Sequence, residues 1–245
     1  LREIERTAQP HIVEMIQAIV GFVGRNDVTA YLVMMTIRLI ELHRVLKPTG
    51  SIYLHCDPTA SHYLKVVMDT IFGTRCFVNE IIWKRTTSKS DYRQGAINWP
   101  RVHDTILYYQ GGGVEKGSFA QPFGAYDQEY IDRFYRHRDE DGRRYALDNL
   151  AAPGAGTRGH PQYELMGVTR YWRYGKRKME RLVAEGRVVQ TKPGAVPRYK
   201  RYLDEMPGVP ITDIWDDISP VQGRARQNQG YQTQKPIELL ERIIL

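Results

Sequence analysis

Three stretches of this chain carry side chains that could do chemistry or hold a charged ligand. The first is "SIYLHCDP", which sets His55, Cys56 and Asp57 in a row, with His62 shortly after. Metal ligands must share a face, and strand alternation sends His55 and Cys56 to opposite faces, so no metal is expected here. Asp57 falls where a strand would end. Clefts form at such edges, and a carboxylate there either caps the next helix or walls the cleft. The second stretch runs from Arg170 to Tyr202, "RYWRYGKRKMERLVAEGRVVQTKPGAVPRYKRY". It holds 11 Lys or Arg against two acids, Glu180 and Glu185, a local charge of +9 in a chain of +7, so the remainder sums to −2. Cations this concentrated suit a polyanion, because phosphates release counterions to them. Tyr171, Trp172, Tyr174, Tyr199 and Tyr202 add stacking surfaces, which favours nucleic acid over a plain solvated basic face. The third stretch is "QTQKPIELLERIIL", where Pro236 suits the first turn of a closing helix. Taken alone, Lys235 is a solvent-facing cation before a proline.

These residues need elements to hold them. Tyr31, Leu32, Met35, Leu39, Leu42, Val45 and Leu46 stripe one helix that stops at Lys47-Pro48-Thr49-Gly50. "SIYLHC" is then a short, nearly continuous apolar run, as expected of a strand covered on both faces. Ala60, Tyr63, Leu64, Val67, Met68 and Ile71 keep helical spacing up to Gly73. "VNEIIWK" and "HDTILYY" read as two further strands, joined by a connection without periodicity that contains Ser88, Lys89, Tyr92 and Arg93. The alternation of helix and strand predicts a mostly parallel sheet with crossover helices. A long loop inside such a domain suits a lid that closes over a ligand. Gly111 onward reads as a linker into a second zone with one good helix, Tyr126 to His137, the basic segment, and Gly- and Pro-rich turns.

Composition narrows the class. A chain of 245 residues can bury a real core. No apolar run approaches the roughly 18–20 residues of a membrane span, and no signal peptide opens the sequence, so a cytoplasmic protein with no membrane partner is expected. Two cysteines without a C-x-x-C pair suggest neither a disulfide framework nor a zinc ribbon. The chain opens on Leu and closes inside a helical stripe, so a segment of a longer protein is expected.

The ordered set of segments resembles the S-adenosylmethionine-dependent DNA amino-methyltransferases, the N6-adenine/N4-cytosine methylases. It is similar above all to the subgroup whose catalytic half precedes the cofactor half, as in type III modification methylases. The matching pieces are Leu46 to Asp57, Phe72-Gly73, Asn79 to Arg85, His103 to Tyr109 and Thr233 to Pro236, in that order. The family's D-P-P-Y or D-P-P-F sequence is absent, and "DPTA" at Asp57 is no substitute. The D-P-F-x-G-x-G loop is absent too, and Tyr231 stands where many relatives carry His before the T-Q-K-P turn.

The resemblance implies an α/β fold, a partial Rossmann-like methyltransferase core with an inserted mixed α+β target-recognition region. It divides the chain into a helical segment over 1–27, the catalytic half over 28–112, the recognition region over 113–222 and the start of the cofactor half over 223–245. It implies methyl transfer from S-adenosylmethionine to a base amino group in duplex DNA, adenine N6 ahead of cytosine N4, with the chain alone inactive. Trp83 and Asp57 would wall the base pocket, although Trp83 reads equally well as a sheet-core residue. Thr233, Gln234, Lys235 and Pro236 would serve the cofactor, Lys235 at its carboxylate. Lys89, Arg93, Arg170, Arg173, Lys176, Arg177, Lys178, Arg181, Lys200 and Arg201 would meet DNA, mostly at phosphates. A restriction endonuclease subunit and a second copy of the chain are further partners the resemblance admits. Its rivals are a non-catalytic DNA-binding module and a methyltransferase acting on RNA or protein.

Overall fold

The computed structural model describes residues 2–86, 95, 97, 99–111, 119–152, 159–223, 225–231 and 233–244. The chain forms two compact units, Leu1–Gln121 with Ile211–Leu245, and Pro122–Pro210. In chain order the first half holds α1 (Arg2–Thr7), α2 (Pro10–Val23), α3 (Asp27–Val45), β1 (Ser51–Cys56), α4 (Pro58–Phe72), β2 (Phe77–Lys84) and β3 (His103–Gln110). The second unit holds β4 (Phe123–Gly124), α5 (Gln128–Phe134), β5 (His137–Arg138), β6 (Arg144–Asn149), β7 (Gln162–Leu165), β8 (Val168–Tyr171), α6 (Lys176–Ala184), β9 (Val188–Val189), β10 (Arg198–Tyr202) and β11 (Val209–Pro210). The chain then returns to the first unit as β12 (Ile214–Trp215) and α7 (Ile237–Ile244).

The sheet of the first unit has the order β1-β3-β2-β12, and it corrects the expectation of a mostly parallel arrangement. β1 and β2, linked by the α4 crossover, do run in the same direction. β3 lies between them and is antiparallel to both, while β12 joins β2 in parallel. The reason is local. Parallel neighbours need a crossover, usually a helix, and the connection from β2 to β3 has no helical periodicity, so β3 returns as a hairpin partner. β3, not β1, is therefore the strand covered on both faces: Asp104 through Tyr109 are all buried, whereas Ile52 through His55 are half-buried.

One face of β3 sends Leu107 and Tyr109 into a helical layer with Leu32, Leu39, Leu64, Val67 and Met68. Ile4, Ile16 and Ile19 join that layer, so the N-terminal segment packs on the core. Its stripe on α3 is narrower than predicted. Leu32 and Leu39 are buried, but Leu42 and Val45 are 47% and 63% exposed. α3 starts at a reciprocal cap, in which Asn26 Oδ1 accepts from the Thr29 N–H and Thr29 Oγ1 accepts from the Asn26 N–H, both at 3.0 Å. The other face of β3 sends Ile106 and Tyr108 into a second cluster with Ile81, Trp83, Trp215, Ile218 and Leu239.

In the second unit a sheet of order β5-β6-β10-β9 stands beside a separate β7–β8 hairpin. Leu150, Leu165, Trp172, Met179, Leu182 and Val188 form its core. The helix expected over Tyr126 to His137 is shorter, because Arg144 binds the Tyr135 and Ile131 carbonyls at 2.9 and 3.3 Å and ends α5 there. The basic segment, expected to meet a nucleic acid but given no secondary structure, contains an amphipathic helix, α6, with Met179 and Leu182 inward.

The turn Lys47-Pro48-Thr49-Gly50 closes against Gly111, whose N–H donates to the Gly50 carbonyl at 2.6 Å. A Cβ on Gly111 would stand 2.6 Å from the carbonyl oxygens of Lys47 and Pro48, which are backbone and cannot swing away. Gly111→Ala should therefore destabilise by about 1–3 kcal/mol in urea unfolding. Gly21→Ala, where a Cβ in α2 meets nothing within 4 Å, should instead stabilise by roughly 0.5–1 kcal/mol. Equal effects of the two would show that the turn does not sit against Gly111.

Candidate active site and nucleic-acid interface

The strand ends of the first unit bring four side chains to one edge of the sheet. His55 is the last residue but one of β1 and Trp83 the last but one of β2, Arg85 directly follows β2, and Asp104 is the second residue of β3. His55 Nε2 lies 2.9 Å from Asp104 Oδ2, and Arg85 Nε lies 2.9 Å from Asp104 Oδ1. The arginine contact is Coulombic, since its Nε–H makes no well-aligned hydrogen bond. The His55 ring meets Trp83 edge to face at 5.9 Å. Cys56 points the opposite way, into the helical core, where burial pushes its thiol up to about 12.

Asp104 fixes the state of His55. A carboxylate only accepts, so Nε2 carries the proton and Nδ1 is left as a lone-pair acceptor. Nδ1 has no hydrogen-bond partner among the described residues. Burial first, and then the charge of Lys235, hold His55 below the ordinary imidazole range, while Asp104 pulls the other way and loses. The site thus presents a neutral imidazole.

Lys235 reaches this edge from a part of the chain far away in sequence. Its Nζ sits 5.9 Å from the Trp83 ring centroid. It is half-buried and makes no ion pair with the described residues. Gln234, expected beside it as a cofactor residue, is spent on the turn: it donates to the Gln227 carbonyl at 2.6 Å and accepts from the Gln229 N–H at 2.9 Å. Gln227 in turn caps α7, its Oε1 accepting from the Ile237 N–H at 3.2 Å. Pro236 is buried and Thr233 exposed. An open hollow of about 630 Å³ next to α7 is lined by Ser219, Gln222, Gln227, Glu238 and Arg242, of which Arg242 is committed to Asp217 at 2.8 Å.

The two expected pocket walls differ. Trp83 is 2% exposed and its indole N–H donates to the Ile218 carbonyl at 2.9 Å, so it is a core residue that braces the site from beneath. Asp57 is exposed and caps α4, accepting from the Thr59 N–H at 2.7 Å, and these Thr59 contacts hold its carboxyl below the usual range. Arg101 donates to Thr59 Oγ1 at 3.0 Å. Sequence reasoning missed Asp104 and Arg101. The only local signal for Asp104 was an acid heading an otherwise apolar strand.

In the second unit the predicted cations separate into two groups. Arg170, Arg173, Lys176, Arg177, Lys178 and Arg181 are exposed, four of them on α6. Lys200 and Arg201 are not free for a ligand: Lys200 binds both oxygens of Asp139 at 3.0 Å, and Arg201 lies 3.5 Å from Asp148 and over the Tyr135 ring. Lys89 and Arg93 lie outside the described residues.

Comparison with known proteins gives one family and three relatives. A family model for DNA methylases of the N6/N4 type matches residues 21–245. The type II methyltransferase M.EcaI of Enterobacter cloacae is 29% identical over 88% of this chain and 47% of its own length. The StyLTI Mod subunit, from a type III restriction-modification enzyme of Salmonella typhimurium, is 27% identical over 90% of this chain and 35% of its own length. The type II methyltransferase M.KpnI of Klebsiella pneumoniae is 22% identical over 74% of this chain and 47% of its own. The chain spans less than half the length of the curated relatives it matches.

The geometry around His55 predicts opposite responses to two substitutions. In an imidazole-detected NMR titration, Lys235→Ala should raise the His55 pKa toward the ordinary value of about 6.5, because it removes a charge that opposes protonation. Asp104→Asn should lower it further, by removing the one group that favours the charged ring. A His55 resonance indifferent to Lys235 would remove the lysine from the site.

Proposed function

The chain belongs to the family of N6-adenine and N4-cytosine DNA methylases, and on that premise we propose that it supplies the base-pocket half and the recognition region of an enzyme that methylates an amino group in duplex DNA. The methyl donor is S-adenosylmethionine, and adenine N6 is the acceptor we place first. The observation that carries this reading is the convergence of Lys235, from the T-Q-K-P turn, with Trp83 and His55 at the sheet edge where clefts open.

S-adenosylmethionine brings a methyl group activated by a sulfonium and a carboxylate at its far end. The half-buried ammonium of Lys235, without an ion-pair partner among the described residues, fits that carboxylate in charge and placement. The lysine rather than the helix end would hold it, because the Ile237 N–H is already capped by Gln227. The Trp83 ring gives that ammonium an aromatic neighbour at 5.9 Å. His55, neutral and with Nδ1 open, can accept a hydrogen bond or a proton from an amine held at this edge, which is the task an exocyclic amino group sets when it gains a methyl and loses a proton. An amine inside a duplex must first be flipped out to reach such a cleft.

The second unit supplies the polyanion contacts. Six exposed cations on and around α6 suit the phosphate backbone, and none of the helices described is long and apolar enough to cross a membrane. One relative is the Mod subunit of a restriction-modification enzyme. That supports a restriction endonuclease as a partner, and with it a place in the cytoplasm beside the DNA.

Two measurements test this reading. The intact gene product should transfer labelled methyl groups from S-adenosylmethionine to duplex DNA, and nucleoside analysis should show N6-methyladenine; N4-methylcytosine would move the acceptor, and no transfer would remove the enzyme. For this chain, Arg173→Ala with Arg177→Ala should weaken duplex binding and make the slope of log K against log salt shallower by about two. An unchanged slope would take this patch out of the interface, and better competition by structured RNA than by duplex DNA would replace the substrate class.

A further inference from the structure

Phosphate contacts position a protein on DNA but carry no sequence information; that needs free donors and acceptors on an element narrow enough for a groove. A two-stranded ribbon is such an element, since it fits the major groove of B-form DNA. We propose that the β7–β8 ribbon reads base edges in the major groove, with Gln162, Glu164 and Thr169 as its specificity-determining residues. This rests on the reading of the second unit as a DNA-binding one.

The pairing of the ribbon sorts its side chains. Gln162 lies opposite Tyr171, Tyr163 opposite Arg170, Glu164 opposite Thr169 and Leu165 opposite Val168, and the two strands pair with no other strand among the described residues. Tyr163, Leu165 and Val168 face the core, against Trp172, Met179 and Leu182. Alternation therefore turns Gln162, Glu164 and Thr169 outward together, and all three are exposed. Their side chains have no hydrogen-bond partner among the described residues. The chemistry matches what bases offer: an amide can pair doubly with adenine, a carboxylate accepts from the cytosine amino group, and a threonine serves either a polar edge or the thymine methyl.

Glu164 is the telling member. In the same unit Asp139, Asp148, Asp204 and Glu205 are each paired with an Arg or Lys; Glu164, like Glu129, Glu140, Asp141 and Glu180, makes no ion pair among the described residues, and of these it is the one on the outer face of the ribbon. An unpaired carboxylate turned toward a polyanion is repelled unless a base amino group meets it.

The ribbon is also held rigid. Its turn places Met166 at φ 48° and Gly167 at φ 77°, the left-handed pair of a tight two-residue hairpin. Methionine does not favour that region, and Gln190 holds it there by donating to the Met166 carbonyl at 2.9 Å. At the stem, Trp172 Nε1 donates to the Tyr163 carbonyl and the Tyr163 hydroxyl to the Tyr174 carbonyl, both at 2.8 Å. α6 packs on the same core through Met179 and Leu182, so the phosphate-binding cations and the ribbon belong to one body.

The test uses this chain and a pool of short duplexes with a randomised centre, sequencing the bound fraction. The unaltered chain should enrich a motif. Glu164→Gln and Thr169→Ala should each change the preference at one or two positions by roughly tenfold, with the melting temperature and the salt slope unmoved. Thr169→Ser, which keeps the hydroxyl, should restore the preference lost in Thr169→Ala wherever the hydroxyl does the reading. The same motif with the same enrichment in both primary variants would overturn the proposal, as would salt-sensitive binding with no motif at all. Absence of binding even at low salt would remove the DNA-binding reading itself, a failure distinguishable from that of the ribbon.

Discussion

Strand β3 is covered on both faces, and the edge of the sheet takes its geometry from that burial. Leu107 and Tyr109 are locked among helices on one side, Ile106 and Tyr108 against Trp83, Trp215 and Leu239 on the other. A slip of one residue would swap those two sets, so the register with both neighbours is strongly specified. That register sets Trp83 opposite Asp104 on one side and His55 opposite Ile106 on the other, which puts His55 within reach of the same carboxylate. Asp104 is itself buried at 6% exposure, and a buried carboxylate is costly without partners. His55 and Arg85 provide them, so the polar site is the consequence of an apolar constraint.

The second unit solves a different problem, that of folding a segment crowded with cations. Part of the charge is neutralised internally. Arg187 and Arg143 both bind Glu205, and that pairing, with Arg187 the larger cause, holds the Glu205 carboxyl down at about 2. Asp139 collects Lys200 and the Tyr202 hydroxyl. The rest is left outside, on a helix whose apolar residues Met179 and Leu182 are enough to anchor it. α6 begins with Lys176, Arg177 and Lys178 and has no side-chain cap. Cations near a helix N-terminus oppose its dipole. This arrangement costs stability in the free protein, and a phosphate at the same place would relieve it.

What could be read from the sequence follows the range of the forces involved. α3, α4 and the strands at Ser51, Phe77 and His103 show in the sequence because their apolar spacing is local. The position of β3 between β1 and β2 does not show, because pairing is decided by burial on both faces and by a connection whose sequence has no helical spacing. Lys235 and Trp83 were each singled out by a motif, but that they are neighbours could be found only through the fold. Asp104 and His55 are 49 positions apart and meet by register alone. The ribbon stayed hidden for a chemical reason: its turn is Met166-Gly167, where a tight hairpin normally announces itself with Asn or Asp before Gly. Lys200 and Arg201 stood in the same charged run as Arg173 and Arg177, and composition could not tell an internally paired cation from an exposed one.

The charge of Lys235 ties the two ends of the candidate active site together. The same ammonium that suits a carboxylate also lowers the proton affinity of His55. An anion bound to Lys235 cancels part of that field, so the imidazole becomes a better proton acceptor when the far end of the cleft is filled. Linkage makes the relation reciprocal: protonating His55 adds a second positive charge beside Lys235 and strengthens the hold on an anion there. Asp104 keeps this coupling in one geometry, because it fixes the tautomer and leaves Nδ1 as the only ring atom open to exchange. An anionic group at Lys235 and a proton on His55 are therefore coupled, each favouring the other.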